Sequence, residues 1–454
     1  MTLERPYRLL QNFHPTARVA LGAKEDVYAS DLLRDIQQLA SQLPKDADSG
    51  SEVVVVCRDR YLFAVAVLAT WAVGLQVALP PNLQPELLQS FRARPGVVTM
   101  LHDGVAGADD GADVRRLVAA SDLPLTGDRS FELTLAPDRP LATVYTSGST
   151  GTHQACPKVA RQLIGEAMVL AEHFGVVPGD RLLATVPPHH IYGLLFGTLV
   201  PIVAGACFLR ETPFHAETVA AAVDRHRVDM LISVPAHLRS LMMLDPGKLA
   251  GLRRVFSSGA PLPRRVAEEM STHHKLGVTE VYGSSETGGI AWRIQRGEDT
   301  PWAPLPGVRV ERDTDGCLRV ESPFLPPGQP QPTRCQDRIE LVDRDRFVLR
   351  GRIDNVVKIG GKRIALAELE QRLLGLPAVA DAAVAAIEVG GARGQQIVAV
   401  AVPSQAGVDA PTWVREIKRA LLQWFDPVVL PRQVRVVPSL PREANGKLTR
   451  HRLL

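Results

Sequence analysis

The segment Tyr145-Thr146-Ser147-Gly148-Ser149-Thr150-Gly151 packs hydroxyls and glycines directly behind an apolar run, Leu141 to Tyr145, that reads as a strand. A glycine-rich turn leaving a strand can aim successive backbone N–H groups into one concavity, and the hydroxyls add donors. That is a cradle for an anion as large as a polyphosphate. The segment lacks the G-x-x-x-x-G-K-[ST] order of a P-loop and the G-x-G-x-x-G of a dinucleotide fold, and no serine sits in a G-x-S-x-G elbow. An ordinary polar loop has the same composition. Further segments downstream tip the reading towards a nucleotide site.

Tyr282-Gly283-Ser284-Ser285-Glu286-Thr287-Gly288 follows a predicted strand, where an active-site segment of an open α/β sheet belongs. Glu286 offers a carboxylate that can hold magnesium against phosphate oxygens. Ser285 offers a hydroxyl donor and Tyr282 a flat face for adenine; a helix cap is the competing reading of Ser-x-Glu-Thr. Ser257-Ser258-Gly259-Ala260-Pro261-Leu262 is a second turn after a strand, and Pro187-Pro188-His189-His190-Ile191-Tyr192-Gly193 pairs two histidines with an aromatic.

Taken in order, these segments resemble the motifs of the adenylate-forming superfamily, which includes acyl-CoA synthetases, aryl-acid ligases and peptide-synthetase adenylation domains. Gly351-Arg352-Ile353-Asp354-Asn355-Val356-Val357-Lys358-Ile359-Gly360-Gly361 is similar to its Gly-Arg-x-Asp-Asp-x-x-Lys-x-x-Gly segment. Pro441-Arg442-Glu443-Ala444-Asn445-Gly446-Lys447 is similar to its Pro-Arg-x-x-x-Gly-Lys element. The resemblance implies ATP and Mg2+ as cofactors. Thr146 to Gly151, with Lys158, would hold phosphate; Gly259, Ala260, Tyr282 and Gly283 would flank adenine; Asp337 would grip ribose, and the planar fork of Arg352 would bond ribose and phosphate. His190, Tyr192 and Ser258 would line the acid pocket. Lys447, Glu286 and Ser285 would serve catalysis, Asp354 would be a hinge, and Gly360 and Gly361 would border a pantetheine arm. Two departures stand out: Cys335-Gln336-Asp337 replaces Thr-Gly-Asp, and Pro157-Lys158 comes later than the usual Pro-Lys.

The elements that must position these residues are legible too. The chain has 454 residues, more than one core usually supports, so two or three folding units are expected. Helix Ser30–Leu43 and the four-valine strand Val53–Val56 open an alternation that continues through helix 215–227, strand 229–234, strand 253–257, helix 264–275 and strand 278–282. Such alternation predicts doubly wound, mostly parallel sheets. After Pro306 short strands flank Asp315-Gly316, a hairpin turn, and predict a β-rich subdomain. From Gly351 a small, mobile α+β domain is expected. The predicted domains are 1–350, binding nucleotide and acid, and 351–454, carrying the hinge and the lysine.

Composition excludes several classes. Apolar content is 45% and charged content 22%, ordinary globular values, and a net charge of +3 makes no case for nucleic acid. The five cysteines are scattered, which fits free thiols in a reducing cytoplasm. Tyr61–Leu79 and Ile191–Leu209 are uncharged but broken by glycine or proline, so no membrane span is expected. The resemblance implies an ATP-dependent carboxylic acid ligase passing its acyl group to CoA or to a free acyl carrier protein in trans, with a small aromatic acid such as a hydroxybenzoate favoured. A fatty or short-chain acyl-CoA synthetase and a degenerate nucleotide-binding protein are the alternatives.

Overall fold

The computed structural model describes residues 5–44, 48, 50–105, 107–108, 111–119, 133–147, 153–297, 299–352, 356–359, 362–388, 395–425, 427–443 and 448–449. A large N-terminal body holds two sheets. The smaller has six strands, in the order His153–Val159, Pro140–Ser147, Gln76–Leu79, Glu52–Val56, Val97–His102 and Ala112–Asp113. All its pairings are parallel except that of the first two strands. Val53 to Val56 are wholly buried, as suits a strand covered on both faces.

The larger sheet has nine strands. Its parallel centre runs Val278–Ser284, Arg254–Ser257, Met230–Ser233, Arg181–Ala184, Cys207–Leu209 and Arg18–Leu21, with antiparallel strands at both edges. The expected strand–helix alternation is present: helices Ala216–His226 and Arg264–Thr272 connect successive parallel strands. Tyr61–Leu79 resolves into helix Arg60–Ala72, Gly74 at φ +93° and strand Gln76–Leu79. Among the described residues no helix is long and apolar enough to cross a membrane.

One connection is indirect. Strand Pro140–Ser147 does not lead straight into the next helix. Instead the chain first returns along itself, with Ser147 opposite His153 and Lys158 opposite Ala142 in an antiparallel pair. Only then come a π-helical turn, Arg161–Gly165, and helix Glu166–Phe174. The return strand carries Ala155 and Cys156 and has Thr143 and Val144 opposite it, so it adds an edge strand to a sheet that a direct crossover would have left open.

Beyond Pro306 lies an antiparallel sheet of Arg309–Arg312, Cys317–Glu321, Thr333–Leu341 and Phe347–Arg352. The small C-terminal domain pairs Val379–Glu388, Gln395–Pro403 and Gln433–Val436 beside helices Leu366–Leu374 and Ala410–Leu421. Leu369, Leu373, Val384, Ile397, Trp413 and Ile417 give it a core of its own.

Candidate active site

A cleft of about 3180 Å3 separates the large body from the small domain and is lined by both. Strand ends deliver its central wall. Val278–Ser284 and Gly288–Ile294 form a hairpin, and the turn between them presents Glu286, exposed, into the cleft. The turn caps no helix. It is braced internally: Ser284 N–H donates to Thr287 Oγ1 at 3.2 Å, and the two hydroxyls lie 3.0 Å apart. At its root, a Cβ on Gly283 would stand 2.2 Å from the carbonyl oxygen of Gly288, so only glycine lets the two strands approach here.

The next wall is built by register. Asp337 pairs directly with Arg352 across adjacent strands, which puts the guanidinium Nη1 3.7 Å from Asp337 Oδ2. The Tyr282 phenol hydrogen-bonds Asp337, and burial together with that carboxylate pushes its pKa well up, so it stays a neutral donor. Three residues from three strands thus meet on one surface. Gly259, at φ +83°, and Ala260 line the cleft beside them. Ser258 lines it as well, its hydroxyl donating to Val281 O at 2.8 Å.

His189 and His190 also line the cleft, their ring centroids 4.4 Å apart. Burial holds His189 well below the usual histidine pKa, hence neutral. Arg60 fixes this segment from beneath: wholly buried, it donates to Val186 O at 2.7 Å and Gly193 O at 3.2 Å. Desolvation pushes its pKa down to about 9. His237 joins the wall with Nδ1 2.9 Å from Thr185 Oγ1, and burial lowers its pKa to about 4. Tyr192 does not line the cleft; its ring packs 5.2 Å from Phe196. Ser285 likewise is not among the lining residues.

Thr146 lies on the strand that enters the phosphate segment, and Ser147 ends it. Gly148, Ser149, Thr150 and Gly151 lie outside the described residues, as do Asp354, Gly360, Gly361 and Lys447. Lys158 is described and is not on the cleft surface. It is 3% exposed, with Nζ 3.5 Å from the carbonyl oxygen of Glu286. Burial lowers its pKa against the pull of Glu166.

Glu166, which the sequence reading passed over, accepts the Gly289 N–H at 2.7 Å. Fully buried, its carboxyl is pushed up to about 7, chiefly by desolvation. Gly288, at φ +70°, leaves the room Glu166 needs: a Cβ there would stand 2.7 Å from Oε2. The available signal was an acidic residue within the apolar stripe Leu163, Ile164, Ala167, Leu170. Arg60 gave a similar signal ahead of Tyr61–Leu79.

Glu286 fits a divalent cation, because an exposed carboxylate on a braced turn faces the cleft, with only the weak Cys156 thiol contact on Oε1 at 3.8 Å. Among the described residues no cluster of three or more His, Cys, Asp or Glu could hold a metal unaided. An ion here would therefore take most of its oxygen ligands from a bound phosphate chain and water, which is the habit of magnesium.

Known proteins resemble this chain over most of its length. Residues 12–316 match the AMP-binding enzyme family, and residues 368–447 match the AMP-binding enzyme C-terminal domain. A 4-coumarate–CoA ligase of Rhodobacter capsulatus is 32% identical over 323 residues, covering 70% of this chain and 77% of that protein. A sulfoacetate–CoA ligase of Cupriavidus necator is 29% identical over 450 residues, covering 89% and 87%. The o-succinylbenzoate CoA synthetase of Bacillus subtilis, solved with its acyl-adenylate intermediate, superposes with a TM-score of 0.81 at 21% identity, covering 97% of this chain and 95% of that one. With a large α/β body, a small C-terminal domain and both family segments in place, the chain belongs to the AMP-binding enzyme family and is an AMP-forming acid–thiol ligase.

Proposed function

We propose that this ligase activates a small aromatic carboxylic acid, such as a hydroxybenzoate, and passes the acyl group to the phosphopantetheine thiol of CoA or of a free acyl carrier protein. In the first half-reaction a carboxylate oxygen attacks the α-phosphorus of ATP, the bond to the β-phosphate oxygen breaks, and pyrophosphate leaves. In the second, the thiol sulfur attacks the acyl carbon, losing its proton, and AMP leaves. The observation that carries this reading is the convergence of Tyr282, Asp337 and Arg352, where register alone opposes a carboxylate and a guanidinium on a cleft wall.

In this reading Asp337 accepts from ribose hydroxyls, while Tyr282 and the Gly259–Ala260 turn cover adenine. Arg352 bonds ribose and phosphate. Thr146 to Gly151 cradle the phosphate chain, and Lys447 enters the cleft to offset charge at the α-phosphate; Ser285, off the cleft surface, takes no direct part. These are mainly electrostatic contributions. Magnesium held by Glu286 would supply charge neutralisation for the leaving pyrophosphate. His190 and Ser258 border the acid, and Tyr192 shapes the pocket from behind. Lys158 acts beneath the Glu286 turn. The small domain, counted from residue 351, then turns about Asp354 to withdraw Lys447 and admit the thiol past Gly360 and Gly361. The aromatic preference rests on the 4-coumarate–CoA ligase relative and on neutral His237 and Phe214 in the wall. The scattered free thiols support a cytoplasmic setting.

The test is pyrophosphate release from ATP and magnesium over a panel of aromatic, short and long carboxylic acids, each alone, with CoA, and with a phosphopantetheinylated carrier protein. Release is expected with a hydroxylated aromatic acid, lost in Lys447→Ala while thioester formation from supplied acyl-adenylate is largely spared. Equal loss in both half-reactions sinks the role given to Lys447. Release confined to aliphatic acids moves the substrate class to the sulfoacetate-like or fatty-acid side. ATP binding with no release for any acid points to a degenerate site.

A further inference from the structure

The small domain touches the large body through a buried acid. Asp381 stands near the start of strand Val379–Glu388, where the pairing with Gln395–Pro403 slips between Val379 and Asp381. A bulge of this kind re-aims the side chain beside it. The carboxylate, 12% exposed, meets two guanidiniums. Arg239 Nη1, from helix Pro235–Leu241 of the large body, lies 3.0 Å from Oδ2. Arg442 Nη2 lies 2.9 Å from the same oxygen and 3.0 Å from Oδ1. Arg239 and Arg442 are themselves only 21% and 23% exposed at their side chains, so solvent screens these contacts weakly.

Arg442 is the entry to the segment that carries Lys447. It forms a bridge with Leu448, and Thr449 N–H donates to Pro441 O at 2.9 Å, so residues on the two sides of Lys447 are tied together at a neck. Leu440 packs with Ala383 and Val400 of the small domain, and Leu448 lies against the same cluster. The neck is therefore fixed to the small domain by apolar packing and by Asp381. The small domain is fixed to the large body by Arg239. One carboxylate links both.

We propose that Arg239 and Asp381 are positioning residues for acid activation: their ion pair holds the small domain in the orientation that presents the Lys447 segment to the cleft, and it breaks when the domain turns for thiol transfer. This rests on the two-step reading above. The pair adds stability to one of two domain orientations, so its loss must act unequally on the two half-reactions. A contact serving only the fold would lower both alike. Removing Arg239 is the clean perturbation, since Asp381 keeps Arg442 and no buried charge is left alone.

The test compares wild type, Arg239→Gln, Arg239→Lys, Asp381→Asn and Lys447→Ala, using the acid that gives the fastest pyrophosphate release in the panel. ATP–pyrophosphate exchange reads the first half-reaction, and thioester formation from supplied acyl-adenylate reads the second. Arg239→Gln is expected to lose roughly tenfold in exchange, a figure typical for a charge pair of this kind, with thioester formation unchanged or faster. Arg239→Lys should recover most of the exchange, and Asp381→Asn, which frees the neck too, should lose more. Parallel loss in both half-reactions, or unchanged exchange in Arg239→Gln, overturns the proposal. Failure of Lys447→Ala to lose exchange indicts the two-step reading instead. If Asp381→Asn does not fold, the Gln and Lys variants of Arg239 decide alone.

Discussion

Asp337 carries more than one task, because it accepts from Tyr282, faces Arg352 and, in the proposed function, also accepts from the ribose. Hydrogen bonds to a charged group contribute about 1.5–3 kcal/mol each. Asp337→Ala should therefore raise the KM for ATP by roughly ten- to a hundredfold, with Asp337→Asn in between, measured by pyrophosphate release at saturating acid. Glu166 gives a pH signature. Its pKa climbs on folding from the ordinary 4.5 to about 7, so it contributes stability below 4.5 that is lost as the pH rises through 7. Glu166→Gln keeps an acceptor for the Gly289 N–H and removes the titration. Urea melts should show wild type losing roughly 1–3 kcal/mol across that window, and the variant losing little; equal slopes would refute the assignment.

At the scale of elements, two hairpins do the positioning, and they are bolted to one another. The strand His153–Val159 carries Lys158 under the Glu286 turn, and Cys156 Sγ lies 3.8 Å from Glu286 Oε1. The turn depends on close backbone approach at Gly283. A methyl group there would meet Gly288 O at 2.2 Å and Gly289 Cα at 2.9 Å, and backbone cannot swing aside as a side chain can. Gly283→Ala should lower stability by roughly 1–3 kcal/mol and reduce pyrophosphate release even at temperatures where the protein stays folded. Thermal melting beside activity assays checks both halves. Full activity in a variant with an unchanged melting temperature would show that the hairpin has more room than its geometry allows.

At the scale of the whole molecule, the apolar interior of the small domain is separate from those of the large body. Trp413 sits in that separate core, 5% exposed, with its indole N–H donating to Ala378 O at 3.1 Å. Loss of a buried tryptophan costs about 3–5 kcal/mol, and a small core cannot spread that loss. Calorimetry should resolve two transitions. Trp413→Ala should lower the one belonging to the small domain and leave the other within a few degrees, at about the value of wild type. A single transition that shifts as a whole would mean that the contacts between domains, Arg239–Asp381 among them, couple the two cores.

By itself the sequence determined the strand–helix alternation, the mostly parallel sheets and a small C-terminal domain, because periodicity and glycine placement are local properties of a chain. Tyr282 and Glu286 stand out from such local context, and Asp337 and Arg352 from the family resemblance. The sequence could not determine register, and register is what opposes Asp337 to Arg352. Nor could it foresee that the phosphate segment is followed by a return strand, since Ala155-Cys156-Pro157-Lys158-Val159 is too short and mixed to be told from a loop without its partner Ala142–Tyr145. The resemblance puts Tyr192 at the acid, yet a helix begins at Ile191 and the ring packs against Phe196. Lys158, Glu166, Arg60 and Asp381 acquire their roles from burial against residues far away in the chain. What a buried charge does is decided by which partner is within reach, and only the tertiary structure supplies the partner.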